Sequence, residues 1–274
     1  MFRDARPCRA SCIGGDAMTT PDAGEALPFV APCRALALTA PLGWLRLGWR
    51  DLRAAPFESL SYGAGIAGLS ALVSAIALRF GTSWLLLVLL SGFVFVAPVL
   101  AIGLYSISAR LEQGVRPSLG ECLAAVRRHL ADSLVYSLIL MVICLIWVRA
   151  GSAVEIFFPE AAVPSPAELA VFFAIGTAVG SVFALVVFAA SAFSLPMLVD
   201  RRTDAVTAVV TSINAVLRNK RAMLVWAALI VLSVAAGFAT ALVGLAFTMP
   251  LIGHATWHAY RETIDASMWP PTGG

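Results

Sequence analysis

The sequence predicts an all-α polytopic membrane protein. It has about six transmembrane helices, arranged as three hairpins, each preceded by an amphipathic interfacial helix. Three observations predict this. Of the 274 residues, 60% are hydrophobic and only 13% charged, with a mean hydropathy of +0.88. A soluble domain carries about 25% charged residues, so the bilayer is the solvent for this chain. The apolar residues fall in continuous runs, without the period-two alternation of a membrane β-barrel. Finally, of the 19 Lys and Arg residues, only Arg79 and Arg149 lie in the loops that follow the first and third expected spans, and the loop after the fifth has none. Such asymmetry is the positive-inside pattern. It predicts a multi-pass membrane protein with both termini cytoplasmic.

Taken in order, residues 1–34 are polar and Pro- and Ala-containing, and read as a disordered tail. Residues 1–17 are expected to lie upstream of the true start, because Met18 opens a new polar run. No apolar core of signal-peptide length occurs there. The five scattered cysteines, Cys8, Cys12, Cys33, Cys122 and Cys144, form no CxxC pair and argue against a disulfide framework.

The membrane domain is expected over residues 35–266. Residues 41–53 form an amphipathic helix with Leu45, Trp49 and Leu52 on one stripe and Arg46, Arg50 and Arg53 beside it. Trp49, Arg50 and Arg53 are expected interface anchors, as are Arg128, Arg218, Trp257 and Tyr260. Spans are expected at about 61–78, 84–108, 133–148, 169–199, 222–240 and 243–260. Residues 222–260 carry no charge apart from histidines, and one straight helix of that length would be about 58 Å long. A turn near residues 239–244 therefore divides it. Amphipathic helices fill 118–130, with Ser118 as N-cap and Glu121 at the capping-box position, and 200–220. Gly176 and Gly180 give the fourth span a GxxxG face for close packing. Residues 149–168 are an acidic outside loop whose apolar segment at 156–158 dips into the interface. Residues 267–274 are a short tail.

An internal repeat runs through this plan. Ala125-Val126-x-Arg128-His129 with Leu134-Val135-Tyr136 aligns without gaps on Ala215-Val216-x-Arg218-Asn219 with Leu224-Val225-Trp226. Each unit also holds Phe-x-x-Pro, at Phe95/Pro98, Phe193/Pro196 and Phe247/Pro250. The three prolines are expected to kink their helices, and the repeats predict a pseudo-threefold bundle.

Candidate chemistry is sparse. His254 and His258 are four residues apart and share one helix face, about 6 Å apart, a spacing able to chelate a metal. In the repeat register Asp200 and Asp204 stand after Pro196 as the two histidines stand after Pro250. Convergence of His254, His258, Asp200 and Asp204 would suit a divalent metal; the alternative is a purely structural polar cluster. No charged residue is expected deep in a span, which disfavours ion-coupled transport. No nucleotide, hydrolase or metalloprotease motif occurs, and a net charge of +3 spread over the loops is no nucleic-acid signal. The expected partners are the lipid bilayer and a second membrane protein.

Four blocks carry a family resemblance: GWRDLRAAP at 48–56, the run from Leu90 through Pro98 to Tyr105, SLPMLVD at 194–200, and PLIGHATWHAYR at 250–261. Together they resemble a family of bacterial predicted integral membrane proteins of unassigned function, over about residues 40–265. The GHATWHAYR block is the most specific. The resemblance implies a multi-span inner-membrane protein, and its pattern includes positions matching Asp200, His254, Trp257 and His258. It also implies an accessory role beside a respiratory oxidase as one reading. A catalytic oxidase subunit is excluded, since only three histidines are present and a haem held by two histidines needs them on facing helices. The functional expectation is a non-enzymatic scaffold or assembly partner of a membrane complex. The alternatives are a passive channel or facilitator, and a metal- or cofactor-handling accessory protein.

Overall fold

The computed structural model describes residues 28–81, 83–155 and 165–272. It is an all-α polytopic membrane protein, with ten helices and no strand among the described residues. They are α1 (Ala40–Ala54), α2 (Pro56–Phe80), α3 (Ser83–Glu112), α4 (Leu119–Arg128), α5 (Leu130–Glu155), α6 (Pro166–Ser191), α7 (Ser194–Asp200), α8 (Ala205–Arg218), α9 (Lys220–Ala239) and α10 (Leu245–Thr263). Local chemistry sets the boundaries. Pro41 and Pro56 open α1 and α2, where a missing N–H costs nothing. Ser118 and Asp204 cap α4 and α8, and Ser165 with Glu168 forms a reciprocal capping box on α6. Ala241 and Leu242, both at positive φ, turn the chain between α9 and α10.

Among the described residues, five helices are long and apolar enough to cross a membrane: α2, α3, α5, the α6–α7 stretch and α9. Their outer faces bear exposed large apolar residues such as Leu72, Val142, Phe173, Leu185 and Val231, as expected where lipid replaces water. Helix α10, expected as the sixth span, is more polar. It packs on α1, α2, α3, α7 and α9, and most of its second half is buried. A helix walled in by others answers to its neighbours rather than to lipid, so its polar residues can stay.

Several expectations are corrected. The stripe by which α1 is buried is Trp44, Gly48, Asp51 and Leu52, rather than Leu45, Trp49 and Leu52, because α1 lies on α10. The fourth span is not one helix. It breaks at residues 192–193, and Pro196 falls in the first turn of the separate helix α7. Pro196 has no N–H for the Ala192 carbonyl. The Phe193 N–H instead donates to Ser212 Oγ at 3.1 Å. Pro98 and Pro250 do lie inside α3 and α10. The Gly176/Gly180 pair makes no close helix contact within the chain: a Cβ at Gly176 would meet nothing within 4 Å.

Close packing occurs at other glycines. A Cβ on Gly48 would lie 2.8 Å from the backbone of Leu251 and Ala255. Gly63 of α2 sits against the carbonyl of Ala246, the group that Pro250 leaves without its helical donor.

The terminal segments are ordered where they are described. Residues 28–34 belong to the expected disordered tail, yet Ala31 is fully buried and donates its N–H to Thr211 Oγ1 at 3.1 Å. Arg34 N donates to Thr263 O and Asp265 N to Pro32 O, flanking an antiparallel bridge between Cys33 and Ile264. The C-terminal segment continues along α7. Arg202 N donates to Pro270 O and Thr272 N to Asp200 O, and Trp269 is buried. These segments stay because their backbone groups and apolar side chains find partners in one another and in α8. Residues 1–27 and the 156–158 segment lie outside the described residues.

Candidate functional site

The second half of α10 is the polar centre of the molecule. Its polar side chains reach α1, α2, α3 and α7. His254 is fully buried. Its Nε2 lies 2.9 Å from Ser59 Oγ of α2, and its Nδ1 2.8 Å from Ser108 Oγ of α3. One ring nitrogen donates and the other accepts, and both are occupied. One turn on, His258 Nε2 lies 2.7 Å from Asp51 Oδ2 of α1, and Asp51 is only 3% exposed.

Trp257 donates its indole N–H to Glu112 Oε2 at 3.0 Å, and Arg261 reaches Glu112 Oε1 at 3.2 Å. Tyr260 donates to Asp200 Oδ2 at 2.8 Å, and the same oxygen takes Arg201 Nε at 2.9 Å and Arg261 Nη1 at 3.3 Å. Glu262 accepts the indole N–H of Trp44 at 2.6 Å. Around this network stand Trp44, Trp226, Tyr136 and Phe193, all buried, with Trp44 edge-on to Trp226 at 5.5 Å. A buried polar group without a partner costs about 1–3 kcal/mol; here helices α1, α2, α3 and α7 supply the partners.

The four residues expected to hold a metal are therefore separated. His254 and His258 share a face but bond to serines and to Asp51. Asp200 is the acceptor for Tyr260, Arg201 and Arg261. Asp204 caps α8, accepting from Thr207 N–H at 2.9 Å and from its hydroxyl at 2.7 Å. Burial raises the Asp204 carboxyl, but the Thr207 hydrogen bonds, together with backbone N–H groups of Asp204 and Val206, hold the group below the ordinary carboxylate range. No set of three or more His, Cys, Asp or Glu residues stands ready for a metal ion among the described residues. The repeat register failed here because α7 ends at Asp200, so Asp204 begins another helix.

Two expected interface anchors are also core residues. Trp257 is 2% and Tyr260 1% exposed, since Glu112 and Asp200 satisfy their polar ends. The other anchors keep an outward position. Trp49 is half-buried, 5.4 Å edge-on from Phe247, with the Arg53 guanidinium 4.7 Å above its ring. Arg50, Arg128 and Arg218 are exposed. His129 is 6% exposed; burial lowers its ring pKa below the ordinary value, against the opposing pull of Asp132.

Sequence reasoning missed Asp51, Ser59, Ser108 and Glu112. Their signal was available in part: Asp51 is an acid on the apolar side of α1, and Ser59 lies one turn before Gly63.

Residues 85–200 match the model of a family described as predicted integral membrane protein (DUF2189). The match runs from α3 to the last residue of α7 and agrees with the family resemblance carried by the sequence blocks; α10 lies beyond it. No curated protein and no solved structure matches.

Proposed function

We propose that this protein is a non-enzymatic scaffold or assembly partner of a membrane complex in the bacterial inner membrane. The observation that carries this reading is the free face of α6. Ala170, Ala174, Thr177, Ser181 and Ala184 are all exposed. At 100° per residue they fall within one narrow stripe of the helix. Ala190 and half-buried Phe183 and Val187 turn the other way, into the chain. Lipid gives no hydrophobic reason for a stripe of small residues, whereas close approach of another helix does.

Topology supports the same reading. The bridge between Cys33 and Ile264 holds both terminal segments at one face of the molecule. This supports an even number of crossings, with α10 as the sixth span beside the five apolar ones. The Lys and Arg distribution supports a cytoplasmic position for that face. The order of one short amphipathic helix followed by two long ones, in α1–α3, α4–α6 and α8–α10, supports internal triplication.

The metal-handling alternative has the weaker support. Both nitrogens of His254 are taken by serines, and Asp200 and Asp204 are engaged elsewhere.

The test is isolation of the intact protein from native membranes in mild detergent, beside Thr177→Leu/Ser181→Leu. A second membrane protein is expected in fixed ratio with the wild type and is lost from the variant. Wild-type protein that purifies alone, or only as copies of itself, overturns the scaffold reading.

A further inference from the structure

A cleft with a polar floor and an apolar corridor runs along α5 and α6, open on one side. Its first part, about 350 Å³, lies among α3, α5, α6, α9 and α10. At the end near the chain termini Tyr105 and Tyr136 line it, with Ser191, Thr256 and Trp226. Tyr136 is 1% and Tyr105 7% exposed. The Ser191 hydroxyl on the same floor donates to Val187 O at 2.6 Å. Higher up, Pro98 deprives the Val94 carbonyl of its helical donor, and both residues line the cleft.

The second part, about 290 Å³, lies between α5 and α6 and shares Val94 and Leu140 with the first. Its walls are apolar, from Leu140 past Ile143 to Trp147 and Gly180. From Tyr136 to Trp147 the corridor follows α5 for about 16 Å. Residues lining the two parts include no Asp, Glu, Lys, Arg or His. Apolar clefts with a few convergent polar groups are the usual form of a small-molecule site, at ~300–1,000 Å³.

We propose that this cleft binds an uncharged single-chain lipid, an acyl or isoprenoid chain with a hydroxyl or carbonyl head. The head lies at Tyr105 and Tyr136, and the tail runs along Leu140, Ile143 and Trp147. The absence of a counter-charge on the walls excludes phosphate and carboxylate heads, because an unpaired charge there would be desolvated without compensation. The buried tyrosines Tyr105 and Tyr136 give the site its direction, head toward the termini.

The experiment is photolabelling of the full-length protein in detergent micelles with a diazirine-bearing hexadecanol, followed by peptide mapping. Label is expected on residues 136–147 and 180–188. Unlabelled hexadecanol should compete about tenfold better than hexadecane, the value of one hydrogen bond of ordinary strength, and better still than palmitate. Tyr136→Phe should erase most of the preference for the alcohol over hexadecane while label still enters the same peptides. Equal competition by hexadecanol, hexadecane and palmitate overturns the proposal. So does labelling of lipid-facing residues such as Leu72 and Val231 as strong as that of the cleft. Both arms are read on wild-type protein and do not depend on a variant folding.

Discussion

Asp51 of α1 and His258 of α10 meet at 2.7 Å in a contact that is almost closed to solvent. It ties the interfacial helix to the enclosed one, and Gly48, one turn earlier on α1, lets the two backbones approach. Removing either partner leaves the other buried without its hydrogen bond. Asp51→Ala or His258→Ala should each cost ~1–3 kcal/mol. The double variant should cost less than the sum of the two. Thermal unfolding in detergent across this four-protein cycle measures the coupling; strict additivity would mean that the two side chains do not interact.

The glycine contacts give a paired prediction. Gly63→Ala forces a methyl group into the Ala246 carbonyl and Pro250, and should destabilise by ~1–3 kcal/mol, the usual cost of overpacking. Gly65, two residues on, faces open space. Gly65→Ala should be neutral or slightly stabilising, since Ala is the better helix former. Equal unfolding temperatures for the two variants would sink the packing argument.

Asp204 offers a pH test. Its folded-state pKa lies below its ordinary value, so its stabilising effect is present above the unfolded pKa, about 3.9. It fades as pH falls through the folded value. Asp204→Ala at neutral pH should cost ~1 kcal/mol, as for other lost helix caps. Asp204→Asn keeps a capping oxygen and should remove this acid-side dependence. Unfolding midpoints of the three proteins from pH 7 down to about pH 2, through the window below the unfolded pKa, decide the matter.

The histidine pair should have no metal phenotype. Protein purified in mild detergent and its His254→Ala/His258→Ala variant should carry the same divalent metal content by elemental analysis, while the variant unfolds earlier. A stoichiometric metal present only in the wild type would restore the four-ligand site.

Topology is checked by fusing a reporter that is active only in the periplasm after Gly274. With an even number of crossings and cytoplasmic termini it stays inactive. Activity would mean that α10 does not cross.

Much of the fold could be read from local signals. Pro41, Pro56, Ser118, Ser165 and Asp204 mark helix starts by chemistry confined to one turn, and apolar runs mark the spans. The break before Pro196 was harder. Proline alone does not say whether a helix bends, as at Pro98 and Pro250, or stops; Ser212, from another helix, takes the Phe193 N–H and stabilises the stop. Trp257 and Tyr260 misled for a related reason. An amphipathic aromatic side chain suits the membrane interface and a satisfied core equally well, and the choice rests with Glu112 and Asp200.

By itself, then, the sequence determined the helical class, the membrane as solvent, the order of helices and the prominence of His254 and His258. These follow from composition and from interactions within a turn or two of chain. Tertiary structure alone decided what those histidines do. Their partners Ser59, Ser108 and Asp51 lie on three other helices, far away in the chain. No periodicity records which polar groups will face each other once α10 is enclosed, because that pairing is fixed only when burial makes an unpaired group costly.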